Sequence, residues 1–164
     1  MSEQLYERIQ QLDDHTAIRL LEAFSDRVFE GMETPVGEMV NNVIPEVKNT
    51  AFFQQALSLS EAEQSRPLPE QQSAEIARTL LLVFAQDPDM VPVLAQTLDD
   101  YKDDRLMVGA ILATGIAVSM IIVAATAQLE IKTANTKIIK KPLSEDLQKT
   151  LLNALPKVFS SAVS

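Results

Sequence analysis

The chain contains no cysteine and no tryptophan, and it holds one histidine and four glycines. The missing thiols remove disulfides, thiolate nucleophiles and thiolate metal sites together. His15 is the only imidazole. A Cys–His pair, a histidine-rich zinc site and a di-iron bundle with Glu-x-x-His on two helices therefore lack their ligands, and a Ser–His–Asp triad would have this one base. Gly31, Gly37, Gly109 and Gly115 form neither a P-loop nor a dinucleotide-binding fingerprint. The N-terminal MSEQLYERIQQLDDH lacks the basic start and apolar run of a secretory signal, so residues 1–105 are expected in the cytosol. No repeat of fixed period and no low-complexity tract is found.

Charge is present but unevenly divided. The net value is −9, made of 8 Lys/Arg against 20 Asp/Glu in residues 1–105 and 6 Lys against 3 acids in residues 130–164. The acidic front repels phosphate, which argues against a nucleic-acid partner. The basic tail has the sign that an anionic membrane surface attracts, and it also reads as an ordinary solvated helix face. In the DDYKDD segment, helical spacing puts Asp99 with Asp103 and Asp100 with Asp104, oxygen pairs of a kind that hard cations take. The segment lacks the alternating loop ligands and the glycine of an EF-hand. It reads as an acidic helix end, and no metal, cofactor or catalytic set is predicted.

Helical periodicity runs through the first hundred residues. Leu5, Ile9 and Leu12 make one stripe. Asp13 or Asp14 can cap a second helix bearing Ile18, Leu21, Phe24, Val28 and Phe29, ended at Gly31 by the left-handed conformation glycine accepts. Val36, Met39, Val40 and Val43 predict a third helix stopped by Pro45, and Phe52, Phe53, Ala56 and Leu57 a brief fourth. Residues 59–69 read as an exposed linker. Ile76, Ala77, Leu80, Leu81, Val83 and Phe84 then give a broad apolar face, and DPDM a turn with a fresh N-cap at Asp87 or Asp89. Val91, Leu94, Leu98 and Tyr101 carry a sixth helix that can continue past Arg105.

The most informative stretch begins at Leu106. From there to Leu129 the chain has 24 residues without a charge. As one helix they would span about 36 Å at about 1.5 Å per residue, enough to cross a hydrocarbon core about 30 Å thick. A buried helix of a bundle, or a pair of buried strands rich in β-branched residues, would need the same composition. Gly109, Ala113 and Ala117 fall four apart, as do Gly115 and Ser119, so small-residue faces are available for helix self-association. Arg105 before the run and Lys132, Lys137, Lys140 and Lys141 after it are read as membrane-flanking charges. That bias places the C-terminus in the cytosol, whereas the acidic front without a signal places the N-terminus there. A span sheltered by the preceding helices until released would resolve the conflict.

Beyond the run, Leu129, Ile131 and Thr133 alternate, Asn135 suits a turn, and Ile138 and Ile139 come next, which predicts a small hairpin. Ser144, Glu145 and Asp146 begin a last amphipathic helix bearing Leu147, Leu151, Leu155 and Phe159, interrupted late by Pro156.

The sequence thus predicts a mainly α protein in three parts. These are an acidic helical bundle or interaction module at 1–105, a hydrophobic, candidate transmembrane helix at 106–129, and a basic hairpin plus helix at 130–164. The expected role is non-enzymatic. A helical module is placed at a membrane, or perturbs it, through self-associating apolar helices, with membrane lipid, further copies of the chain and an unidentified protein as partners. The N-terminal module would be cytoplasmic and the whole membrane-associated. The alternative is a soluble, cytoplasmic protein–protein interaction domain in which 106–129 is the buried central element.

Overall fold

The computed structural model describes residues 2–32, 43, 45–51, 53–54, 70–101, 114–125, 129–132, 137–141 and 144–163. Among these, α1 covers Ser2–Gln10, α2 Asp14–Glu30, α3 Pro45–Lys48, α4 Glu70–Ala85, α5 Val91–Asp100 and α6 Thr114–Ala125. Strands β1, Leu129–Lys132, and β2, Lys137–Lys140, pair antiparallel, and α7 covers Glu145–Val163. The protein is mainly helical, with a small two-stranded sheet among the described residues.

Helix α4 is the axis. It packs against α1, α2, α5, α6 and α7. Its wide apolar face explains this, because Ile76, Ala77, Leu80, Leu81, Val83, Phe84 and Ala85 are all buried, so neighbours are needed on several sides. Phe84 meets Phe24 of α2 edge to face, with ring centroids 5.0 Å apart and planes at 64°, the arrangement that aromatic quadrupoles favour. One hydrophobic core takes in residues from Leu5 to Leu151, so the three parts expected from the sequence share their interior.

Local chemistry sets the element ends. Asp13 caps α2 by accepting from the Thr16 N–H at 2.7 Å, a bond that holds its carboxyl below the ordinary aspartate value. Arg78 donates to the Leu12 carbonyl at 2.6 Å and to Asp14 at 3.1 Å, fastening the α1–α2 turn to α4. Pro45 opens α3, since proline fits a first helical turn. The expected helix over Val36 to Val40, the residues Phe52, Ala56 and Leu57, and the linker 59–69 lie outside the described residues. Tyr101 is extended, at φ −66° and ψ 130°, so α5 ends at Asp100 and does not continue directly into the apolar run. At α7 the helical backbone carries on across Pro156. Proline removes one N–H donor there, while residues on either side can keep theirs.

The apolar run does not reach Leu129 as a helix. The described helix is the 12 residues of α6, about 18 Å at about 1.5 Å per residue, and Leu129 already belongs to β1. An uninterrupted helix to Leu129 is therefore not what forms, and residues 106–113 lie outside the described residues. Among the described residues, no helix is long and apolar enough to cross a membrane. Met120, Ile121, Ile122, Val123 and Ala124 are buried in succession. At 3.6 residues per turn, five consecutive positions face every direction, so this end of α6 is enclosed on all sides.

Gly31 does end α2, for a different reason than its sequence position suggested. Its backbone is right-handed, at φ −85° and ψ −7°. What demands glycine is β1, which passes directly over it: the Gly31 carbonyl accepts from the Lys132 N–H at 2.7 Å. A Cβ there would overlap the Lys132 carbonyl oxygen and meet Ile131 Cγ2 at 2.9 Å. Gly31→Ala should therefore cost about 1–3 kcal/mol in urea unfolding, the usual penalty of overpacking. The exposed substitution Gln11→Ala is the reference and should stay within about 0.5 kcal/mol. Equal values would show that the strand can move aside.

Candidate functional site

The most unusual chemistry lies where the α4–α5 turn, the end of α6 and strand β2 meet. Alternation along β2 leaves Lys137 and Ile139 exposed and turns Ile138 and Lys140 inward. Lys140 is fully buried and Asp87 is 3% exposed. The Lys140 ammonium donates to the Ala124 carbonyl at 3.0 Å and to the Lys141 carbonyl at 3.1 Å. Ala124 sits in the last turn of α6, where helix carbonyls lack intrahelical donors and a cation also meets the negative end of the helix dipole. The Asp87 carboxylate stands 3.7 Å from the same ammonium, an ion pair longer than a hydrogen bond.

The turn itself is built by its aspartates. Asp87 Oδ1 accepts from the Asp89 N–H at 3.1 Å, and the Asp87 carbonyl accepts from the N–H groups of Met90 and Val91. Asp89 Oδ2 accepts from the Lys141 N–H at 2.9 Å. Neither aspartate is the cap of α5, whose N-cap position is Met90 without a side-chain cap. Asp87 Oδ2 is buried with no hydrogen-bond partner among the described residues. Burial pushes the Asp87 carboxyl above its ordinary value against the pull of Lys140, and burial pushes the Lys140 ammonium below its own against Asp87 and Asp89. Both directions disfavour the charged forms, as expected for a desolvated pair.

The residues singled out from the sequence are distributed differently. Lys140, expected as a membrane-flanking charge, has its ammonium inside the protein; strand alternation from the inward Ile138 was the signal for it. Lys132, Lys137 and Lys141 are exposed, and Lys137 pairs with Glu130 at 3.1 Å. Ser119 is half-buried in α6, which also contains Gly115 and Ala117, while Arg105, Gly109 and Ala113 lie outside the described residues. Asp99 and Asp100, each expected to share a helical face with a second aspartate, both engage an arginine. Asp99 pairs with Arg8 of α1 at 3.2 Å and Asp100 with Arg27 of α2 at 2.9 Å, tying α5 to both helices. Asp103 and Asp104 lie outside the described residues. His15 is half-buried at the start of α2.

A groove of about 500 Å3 is lined by Glu3, Tyr6, Glu7, Gln10 and Gln86. It offers carboxylates, a phenol and amides to a cationic or polar group. Among the described residues no three metal-ligating side chains converge.

The buried pair makes a prediction with a defined sign. Lys140→Met leaves Asp87 as an uncompensated buried charge and should cost about 3–5 kcal/mol near neutral pH. A carboxyl with a raised pKa in the folded state binds its proton more readily there, so its contribution to stability is greatest in acid and falls as pH rises. Removing Lys140 raises Asp87 further, so the deficit of Lys140→Met should shrink as pH falls below neutral. Adding Asp87→Asn should recover most of the loss at neutral pH and remove that pH dependence. Urea unfolding of the two variants at several pH values checks both statements.

No protein family, curated protein or solved structure matches this chain.

Proposed function

We propose that the chain is a non-enzymatic helical protein–protein interaction module in which the apolar segment 106–129 serves as an inner core element. The observation that carries this reading is the uninterrupted burial of Met120 to Ala124 against the bundle. Helices α2 and α4 supply the packing, and Lys140 holds the α6 end from the other side. A side chain committed in this way has no face left for lipid. The net charge of −9 favours a basic partner, because opposite fields speed encounter and exclude acidic competitors.

One observation favours a second reading, attachment to a membrane surface. The outer face of the hairpin presents Lys132 and Lys137 around Ile139, which is 58% exposed. Cations flanking an apolar side chain suit an anionic lipid surface, although Glu130 offsets part of that charge. In this reading the small residues Gly109, Ala113, Gly115, Ala117 and Ser119 would assemble copies at the membrane.

The two readings separate in one experiment on the full chain expressed in cells. The interaction-module reading expects release from the membrane fraction by an alkaline carbonate wash, a monodisperse species in detergent-free gel filtration, and one cooperative unfolding transition. Retention in the washed pellet would overturn it. Release by carbonate together with sedimentation on anionic but not neutral vesicles would instead establish surface attachment through the hairpin.

A further inference from the structure

Strand β2 and the residue after it read Ile138-Ile139-Lys140-Lys141, two doubled residues in a row. In the observed register Ile131 faces Ile138 and Leu129 faces Lys140. Ile138 and Lys140 are buried, while Ile139 is the one large apolar side chain strongly exposed among the described residues. Slipping β2 by one residue would set Ile139 opposite Ile131 and Lys141 opposite Leu129. Because side chains alternate with a period of two, the slip turns the whole strand over. The inward pair would again be one isoleucine and one lysine, with Asp87 again offered a cation and the Ala124 carbonyl a donor. Neither apolar burial nor the buried ion pair distinguishes the two arrangements.

The bond between Lys141 and Asp89 does distinguish them. Asp89 Oδ2 accepts from the backbone N–H of Lys141. After the slip the residue in that place is Pro142, which carries no N–H. The slipped strand would leave Asp89 without this donor.

We propose that β2 is a two-register strand in which the Lys141 N–H bond to Asp89 selects the observed register over one shifted by a residue. The shift exchanges the outer face of the hairpin while leaving the same residue types inside. Ile138 and Lys140 come to the surface, Lys140 lies opposite Glu130, and Lys137 leaves the paired ladder. Glu130, which also has Lys132 at 4.0 Å on its own strand, thereby exchanges Lys137, now at 3.1 Å, for Lys140. The hairpin presents one of two surfaces according to whether a backbone donor reaches Asp89.

The test is solution NMR of the full chain carrying Asp89→Ala or Pro142→Ala. The first removes the acceptor that favours the observed register, and the second supplies the missing N–H to the shifted one. Each should raise the shifted population by about ten-fold or more, the weight of one hydrogen bond to a charged group. Cross-strand contacts between Ile131 and Ile139 in either variant, lost again when Ile139→Glu is added, are the expected result. Contacts only between Ile131 and Ile138 in both variants overturn the proposal. So does loss of all cross-strand contacts, or a shifted register that survives Ile139→Glu.

Discussion

The fold depends on one requirement, that the broad apolar face of α4 be covered. Burying a Leu, Ile or Phe side chain contributes about 1.5–3 kcal/mol, and α4 carries Ile76, Leu80, Leu81 and Phe84, each with no exposed surface. No single neighbour can enclose them. Helix α2 takes Phe84 against Phe24, α1 and α7 pack on further parts of the helix, and α6 and α5 complete the shell. The exposed ion pairs of α5 with Arg8 and Arg27 add orientation more than stability, since pairs of this kind are worth about 0–1 kcal/mol each.

The helical parts of this arrangement were legible because their apolar residues recur at three and four. Leu5 and Ile9 in α1, Ile18, Leu21, Phe24 and Val28 in α2, and Ile76, Ala77, Leu80, Leu81, Val83 and Phe84 in α4 all lie where that spacing placed them, in the core. The hairpin and the Ser144 start of α7 were legible for similar local reasons, with Ser144 accepting from the Leu147 N–H at 3.4 Å. The packing of Met120 to Ala124 was not legible, because an apolar sequence enclosed on all sides looks the same whether its neighbours are lipid tails or side chains. Gly31 was read correctly as a helix end and wrongly as a left-handed residue, because its reason lies about a hundred residues away in β1.

The clasp around Lys140 was hidden for a related reason. Alternation along β2 turns Lys140 inward, but lysines after an apolar run suggest water or a lipid headgroup, and its partner Asp87 across the fold leaves no local trace. The pair is an expensive way to fill a core, since apolar residues of similar size often do as well or better. Its distinctive contribution is geometric. It binds the α6 terminus, the α4–α5 turn and β2 at a single point, so three separate elements must settle their positions together.

The packing of α7 on α4 also bears on how the chain is made. Leu147 and Leu151 are buried in the shared core, more than sixty residues after the helix they cover. During synthesis, α1, α2 and α4 emerge from the ribosome well before α7 exists. One side of α4 must therefore wait in water with its leucines bare, an interval in which nascent chains are prone to aggregate. The order of the helices along the chain makes a chaperone-like shelter most valuable before residue 151 has emerged, and makes truncation upstream of α7 harmful to the core that α4 organises.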